Sequence, residues 1–231
     1  MMFENIKVIA FDADDTLWVN ETYFREAEDA FVALLLPYEN KDKITKELGE
    51  TEIKNLSIYG YGVKGFVLSL IECALVLSKD QLPAEILGKI LEIGKEMLEK
   101  PIQLLDGVEE VLESLQGKFK LIVATKGDLL DQERKLAKSH LLHYFHHIEV
   151  MSDKKEKDYL KLVKHLDILP SQLLMIGNSL KSDVLPLIAI GAPAIHIPFH
   201  TTWIHEEVTL EKDQNLDFKT LTNIKELIAL I

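Results

Sequence analysis

The chain has 231 residues, a formal net charge of −12 and an apolar content of 47%. This length fits one large or two small domains with a real core, and the acidic balance argues against a nucleic-acid-binding surface. The single cysteine, Cys73, excludes an intrachain disulfide framework. Because no stretch suggests a signal peptide or a membrane span, we expect a cytoplasmic protein with no nucleic-acid or membrane partner.

The first predicted element is the apolar run VIAF at residues 8–11, which is followed at once by Asp12, Asp14 and Asp15. A short apolar run without a polar face predicts a strand covered on both sides, as in a parallel sheet. Such sheets bind ligands beyond the carboxyl ends of their strands. Three carboxylates within four residues repel one another, and a cation among them would relieve this repulsion. The alternative is that Asp15 or Thr16 simply caps the next helix.

The stretch that follows is helical in pattern and contains no convincing strand. Pro37, the Tyr59–Gly62 break and Pro101 separate the predicted helices. The helices are predicted at about residues 22–36, 40–58, 64–77 and 83–99. We therefore expect residues 18–100 to form a helical domain that is inserted into a second domain, formed by residues 1–17 and 101–231.

The second half of the chain alternates between apolar runs and helical stretches. The runs predict strands at residues 119–124, 147–151, 173–176 and 194–197. Helices are predicted around them at about residues 107–115, 129–138 and 157–166, then one capped by Ser182 and a last one over residues 218–230. This alternation is typical of an α/β fold with a doubly wound parallel sheet and right-handed crossovers.

The D-x-D-x-T-L order of residues 12–17, directly after a buried strand, resembles the first motif of the haloacid dehalogenase-like (HAD) hydrolase superfamily. The resemblance implies that Asp12 is a nucleophile and Asp14 a general acid/base. The helical insert after the first strand is similar to the HAD cap. The implied architecture is a Rossmann-like HAD core with an inserted α-helical cap domain.

Two further positions resemble HAD motifs that bind phosphate. Thr125 follows the strand FKLIVA, and its hydroxyl and the next backbone N–H groups are suited to phosphate oxygens. Lys154 directly follows a strand end and is the predicted phosphate lysine, with Lys155 and Lys157 as competitors. The Pro that often follows this lysine in the family is missing here. A run such as DKKEKD is ordinarily a solvated helix start, so two of these three lysines are expected at the surface.

The fourth resemblance concerns a metal site. The segment of residues 177–183, GNSLKSD, is similar to the acidic metal motif of the family, but Asn178 replaces the usual first Asp. An amide oxygen still suits Mg²⁺, which prefers oxygen ligands. The implied ligands are Asp12, the main-chain carbonyl of Asp14, Asn178 and Asp183. The alternative makes Asn178 a turn residue and Asp183 a helix-start residue favoured by the dipole.

The resemblance implies a Mg²⁺-dependent phosphatase that acts on a small phosphorylated metabolite. Asp12 would form an aspartyl-phosphate, and Asp14 would first protonate the leaving group and then activate water. Asp14 also argues against a haloacid dehalogenase proper, where a halide leaving group needs no acid. Lys64, at the start of a helix, is a candidate substrate contact, although such a lysine is normally solvated.

Other functions remain open from the sequence. A phosphomutase or phosphonatase would use the same chemistry. A phospho-accepting regulatory domain also pairs acids with Thr and Lys, but its accepting Asp lies on a later strand and it carries no helical insert. A catalytically inactive phospho-ligand-binding protein is a third alternative, because Asn178 removes one charge from the metal motif. The sequence identifies neither the substrate nor the oligomeric state.

Overall fold

The structure is a computed structural model that describes residues 3, 5–201, 203, 206, 208 and 216–231. The chain divides into two compact units. The α/β unit comprises the described residues of Met1–Glu21, Ile102–Lys126 and Gln132–Ile231. The helical unit comprises Thr22–Pro101 and, unexpectedly from the sequence, Gly127–Asp131.

The helical unit is built on four helices with a core of its own. They are α1 (Glu21–Leu35), α2 (Lys41–Tyr59), α3 (Val63–Leu77) and α4 (Ala84–Glu99). Helix α3 is apolar nearly all round, and its buried residues pack with Phe31, Ile44 and Ile90. Asn40 caps α2 by accepting the N–H of Lys43 at 3.1 Å. Each helix therefore buries one face in a shared core, as its apolar spacing predicts.

The segment Gly127–Asp131 joins the helical unit through the start of α3. Lys64 forms an ion pair with Asp128, at 2.9 Å between Nζ and Oδ1. Gly62 has a positive φ of 104°, and a Cβ at this position would lie 3.2 Å from the main-chain nitrogen of Asp128. The absence of a side chain at Gly62 thus permits both the turn and the close approach of the segment.

The described residues of the α/β unit contain a six-stranded parallel sheet. Its strands are β1 (Val8–Phe11), β2 (Lys120–Lys126), β3 (His147–Met151), β4 (Leu173–Gly177), β5 (Ala194–His196) and β6 (Lys219–Thr220). The order across the sheet is β3-β2-β1-β4-β5-β6. Strand β1 is central, with Phe11 paired to Val123 on one side and Ile176 on the other. This confirms the predicted doubly wound α/β fold.

Helices cover both faces of the sheet. They are α5 (Val108–Leu115), α6 (Leu129–Lys138), α7 (Glu156–His165), α8 (Leu185–Ala189) and α9 (Leu227–Leu230). Ile9 and Phe11 of β1 pack in a cluster that contains residues of α5, α6 and α9, whereas Val8 and Ala10 pack in a second cluster with residues of α7 and α8. Because side chains alternate along a strand, the apolar run of β1 supplies both faces.

Two details of the second half differ from the sequence expectations. The predicted helix over residues 218–230 is wrong at its start, since Lys219–Thr220 is an edge strand and α9 covers only Leu227–Leu230. Ser182 is not the cap after β4: the Ser179 side chain accepts the Ser182 N–H, and a π-helical turn, Leu180–Val184, precedes α8. Among the described helices, none has the length and hydropathy that crossing a membrane requires.

Candidate active site

The candidate site lies where the direction of the sheet's strand order reverses. Strand β2 follows β1 in sequence on one side, and β4 lies on the other side. Asp12 directly follows β1, and its N–H donates to the Ile176 carbonyl of β4 at 2.8 Å. Asn178 and Asp183 follow the same end of β4. Open α/β sheets characteristically bind ligands at such a reversal.

Lys154 connects the two acidic residues of this edge. Its Nζ contacts Asp12 Oδ1 directly and lies 2.7 Å from Asp183 Oδ1. The side chains of Lys154 and Asp183 are each only 1% exposed, so this ion triad is shielded from solvent. Lys155 instead pairs with Asp153 at 2.7 Å and is exposed, as is Lys157. Of the three candidate lysines, Lys154 is thus the one in contact with Asp12.

Burial and charge act in opposite directions on this triad. The pKa of Asp12 is raised to about 7 overall, because burial and the charge of Asp183 together outweigh the opposing effect of Lys154. Burial lowers the pKa of Lys154, but the two carboxylates outweigh this effect and raise it above its ordinary value. The proton therefore stays on the ammonium, and the site is one that favours positive charge.

Oxygen atoms converge beside Asp12. The Thr16 hydroxyl lies 3.3 Å from Asp12 Oδ2 and 3.3 Å from Asn178 Oδ1. Asp183 Oδ2 accepts the N–H of Ser179 at 3.0 Å, which fixes that carboxylate against the loop after β4. The ring Nε2 of His196 lies 3.0 Å from the Asn178 carbonyl and anchors the same loop to β5.

These oxygens fit the donor chemistry of Mg²⁺, a hard cation with oxygen ligands. Within the described ranges, no three His, Cys, Asp or Glu side chains are grouped to hold a metal ion. A cation here would therefore depend on the Asn178 amide and main-chain oxygen as well as on the carboxylates of Asp12 and Asp183. The donor set is compatible with magnesium and unsuited to a softer metal that needs sulfur or imidazole.

The Asp14 carboxylate is surrounded by donors that carry no motif in the sequence. It accepts the Trp18 indole N–H at 2.8 Å, the Gln132 amide at 2.8 Å and the Lys135 ammonium at 2.9 Å. Burial raises the pKa of Asp14, but Lys135, Gln132 and Trp18 outweigh it and lower the value overall. Asp14 is therefore held ionised and in one orientation.

Asp15, the third carboxylate that follows β1, binds main-chain N–H groups at the start of a helix. Asp15 accepts the N–H of Asn20 at 2.9 Å and of Glu21 at 3.0 Å, at the start of α1. Its φ of 61° is left-handed, a conformation that Asp tolerates better than most residues. The helix-cap interpretation of Asp15 agrees with these contacts, whereas the Thr16 hydroxyl faces Asp12 and Asn178.

The remaining predicted residues occupy different surroundings. Thr125 is buried at the end of β2, and its hydroxyl donates to the Lys126 carbonyl at 3.2 Å. Lys64 is a residue of the helical unit, where it pairs with Asp128 and its side chain is 56% exposed. The α/β unit thus brings Asp12, Asn178, Asp183 and Lys154 together at one edge, whereas Lys64 has its partner within the helical unit.

Several polar residues of the edge were not predicted from the sequence. Gln132 and Lys135 stand three residues apart on α6, a spacing that puts both on one helix face. Lys126 ends β2, and its ammonium lies 2.9 Å from Ser182 Oγ. The helix-face spacing was a usable signal for Gln132 and Lys135, but many exposed pairs share it, so it does not identify a partner for Asp14.

Comparison with protein-family models gives a match to the haloacid dehalogenase-like hydrolase model over residues 6–191. No curated protein matches the chain in sequence. Among solved structures, a haloacid dehalogenase-like family hydrolase from Xanthomonas campestris is 32% identical, with a TM-score of 0.83 over 98% of this chain and 94% of that one.

Two more distant structures share the fold. The protein YfnB of Bacillus subtilis, bound to magnesium, is 18% identical, with a TM-score of 0.65 over 98% of this chain and 99% of that one. A 2-haloacid dehalogenase from Pseudomonas syringae pv. Tomato DC3000 is 20% identical, with a TM-score of 0.65 over 97% of each chain. Structural neighbours thus include dehalogenases, and they also include phosphatases.

Proposed function

Because the chain belongs to the haloacid dehalogenase-like hydrolase family, we propose that it is a magnesium-dependent phosphatase of a small phosphorylated metabolite. In this proposal it is a phosphoric monoester hydrolase that works through an aspartyl-phosphate, in the cytoplasm. The observation that carries the proposal is the buried contact of Lys154 with Asp12 and Asp183. When a carboxylate attacks a phosphate ester, two anions approach each other, and a neighbouring ammonium group reduces their repulsion.

In the first step of the proposed mechanism, Asp12 is the nucleophile. One of its oxygens attacks phosphorus, the bond from phosphorus to the ester oxygen breaks, and an aspartyl-phosphate remains on the enzyme. Lys154 stabilises the added negative charge because its ammonium already contacts Asp12. The Thr125 hydroxyl and nearby backbone N–H groups are assigned to the other phosphoryl oxygens, since Thr125 is the penultimate residue of β2, the strand next to β1.

The proton transfers of both steps are assigned to Asp14. In its ionised form, which Lys135 and Gln132 favour, Asp14 accepts a proton from the water that cleaves the aspartyl-phosphate. Donation of a proton to the leaving group in the first step requires Asp14 to bind that proton against the charge of Lys135. Trp18 keeps the carboxylate oriented, because its indole N–H donates to Oδ1.

Magnesium is part of the proposal because the donor set fits it. Asp12, Asn178, Asp183 and the main-chain carbonyl of Asp14 would hold the ion. When bound, it neutralises charge that would otherwise repel a phosphate from two carboxylates. Asn178 contributes an amide oxygen instead of a third carboxylate, so the ion would be held with one charge fewer than in the usual motif.

The test is the release of inorganic phosphate from para-nitrophenyl phosphate, measured with Mg²⁺ and with a chelator. We expect turnover with Mg²⁺ and a loss of at least about a hundredfold with the chelator. Asp12→Asn should abolish turnover, whereas Asp167→Asn, at an exposed position outside the motifs, serves as the matched control. Full activity of Asp12→Asn would reject the assigned nucleophile, and no turnover of any phosphate ester would favour a binding protein.

A further inference from the structure

A second group of polar side chains lies at the carboxyl edge of the sheet, and the mechanism above does not use it. Lys126 Nζ lies 2.5 Å from Glu206 Oε1 and 2.9 Å from Ser182 Oγ. The hydroxyls of Ser179 and Ser182 donate to Glu206 Oε2 at 2.5 Å and 2.6 Å. One ammonium and two hydroxyls therefore hold both oxygens of a single carboxylate.

The donors of this group belong to the same strand ends as the candidate site. Lys126 directly follows Thr125 on β2, whereas Ser179 precedes and Ser182 lies within the turn Leu180–Val184 that carries Asp183 after β4. In the sheet, β2 and β4 are the two neighbours of β1, the strand that Asp12 follows. Side chains that reach from the end of β2 to the loop after β4 thus span the edge at which β1 ends.

The side chains of Lys126 and Glu206 are largely shielded from solvent, and the two serines are held in place by further hydrogen bonds. The side chains of Lys126 and Glu206 are only 15% and 13% exposed. Ser179 also accepts the Ser182 N–H at 3.1 Å, and the Tyr159 hydroxyl donates to the Ser182 carbonyl at 2.9 Å, so the two serines are fixed. Donors that are prearranged in this way bind a carboxylate more strongly than solvated ones.

We propose that Lys126, Ser179 and Ser182 form a carboxylate-binding pocket, which Glu206 fills until the carboxylate of a substrate replaces it. This inference rests on the proposed phosphatase function and narrows it to phosphate monoesters that also carry a carboxylate. Glu206 is 80 residues beyond Lys126 in sequence, in the segment that follows β5. The exchange of one carboxylate for another keeps the charge and all three hydrogen bonds, so no donor is left unpaired.

The binding of non-hydrolysable phosphonates tests the pocket without relying on turnover. The probes are phosphonoacetate and its longer homologues, each paired with the alkylphosphonate that lacks the carboxyl group. Calorimetry with Mg²⁺ compares the unaltered protein with Glu206→Gln. We expect Glu206→Gln to bind at least one carboxylated probe about tenfold more tightly than the unaltered protein does, with no such gain for its alkyl partner.

Further variants keep the test decisive. Glu206→Ala removes the side chain that could still fill the pocket in Glu206→Gln. It should therefore show the tighter binding of the carboxylated probe even where Glu206→Gln does not. Adding Lys126→Met to Glu206→Gln should remove the gain, because the ammonium is then absent. Glu113→Gln, exposed on α5, controls for the loss of one negative charge elsewhere and should bind as the unaltered protein does.

Equal binding of carboxylated probes by the unaltered protein and both Glu206 variants would overturn the pocket and leave Glu206 as a purely structural contact. Failure of the phosphatase proposal has a different signature, namely no phosphate release and no binding of any alkylphosphonate. Even then, a carboxylated series that binds more tightly to Glu206→Gln supports the pocket, and one that does not overturns it.

Discussion

The ammonium group of Lys135 lies 2.9 Å and 3.2 Å from the two carboxylate oxygens of Asp14. Both side chains are largely shielded, at 15% and 23% exposure. The same ammonium lies 2.8 Å from Asn20 Oδ1, which ties α6 to the turn after β1. The pair therefore fixes the position and the charge of Asp14 together.

Lys135→Met tests this pair. The change removes the cation beside a partly buried carboxylate, and we expect the free energy of unfolding to fall by about 1–3 kcal/mol. Urea unfolding measures the loss, and Lys138→Met, at an exposed position in the last turn of the same helix, should be nearly neutral. Equal unfolding curves for the two variants would show that Lys135 contributes nothing through Asp14.

Lys154→Met and Lys155→Met separate the buried lysine from its exposed neighbour. Lys154→Met leaves Asp12 and Asp183 without a shared cation, and we expect phosphate release to fall by more than about a hundredfold. The melting temperature should also fall, since removal of one partner from a buried ion pair typically costs about 3–5 kcal/mol. Lys155→Met should retain activity, because its side chain is 68% exposed and its ammonium pairs with Asp153 rather than with Asp12. If Lys155→Met lost more phosphate release than Lys154→Met, the phosphate-binding role would pass from Lys154 to Lys155.

Asn178→Asp probes the charge of the metal site. The change adds a carboxylate beside Asp12 and Asp183, and we expect Mg²⁺ to bind about tenfold more tightly because its affinity rises with the number of charged ligands. Asp183→Asn is the opposite change and should weaken binding. Calorimetric titration with MgCl₂ measures both, and an unchanged affinity in the two variants would place the ion elsewhere.

Gly177→Ala tests the packing of Asp183. A Cβ at Gly177 would lie 2.3 Å from Asp183 Cγ, whereas a Cβ at Gly88 meets nothing within 4 Å. We expect Gly177→Ala to displace the carboxylate, lower the free energy of unfolding by about 1–3 kcal/mol and reduce stabilisation by Mg²⁺. Gly88→Ala, in the exposed middle of α4, should instead stabilise by about 0.5–1 kcal/mol. A Gly177→Ala protein as stable and as responsive to Mg²⁺ as the unaltered one would contradict this geometry.

Much of the fold followed from local patterns. The apolar runs predicted β1 to β5, and the bounds of β3 and α6 agree with the expectation to the residue. Strand β6 was missed because two residues at a sheet edge carry no periodic signal, and Lys219 and Thr220 are both exposed. Its pairing with β5 is a long-range contact, and the sequence around it resembled the helix that begins only at Leu227.

The sequence by itself determined which residue types stand at three strand ends. The apolar runs of β1, β2 and β4 are followed, at once or after one glycine, by Asp12, Thr125 and Asn178. Only the tertiary structure decided their partners. Lys154 was one of three neighbouring lysines, and Lys135 and Glu206 carried no motif at all. The reason is physical: periodicity within a strand or helix reflects burial of that element, whereas an ion pair depends on which strands lie side by side. The sheet order β2-β1-β4 makes that choice for this protein.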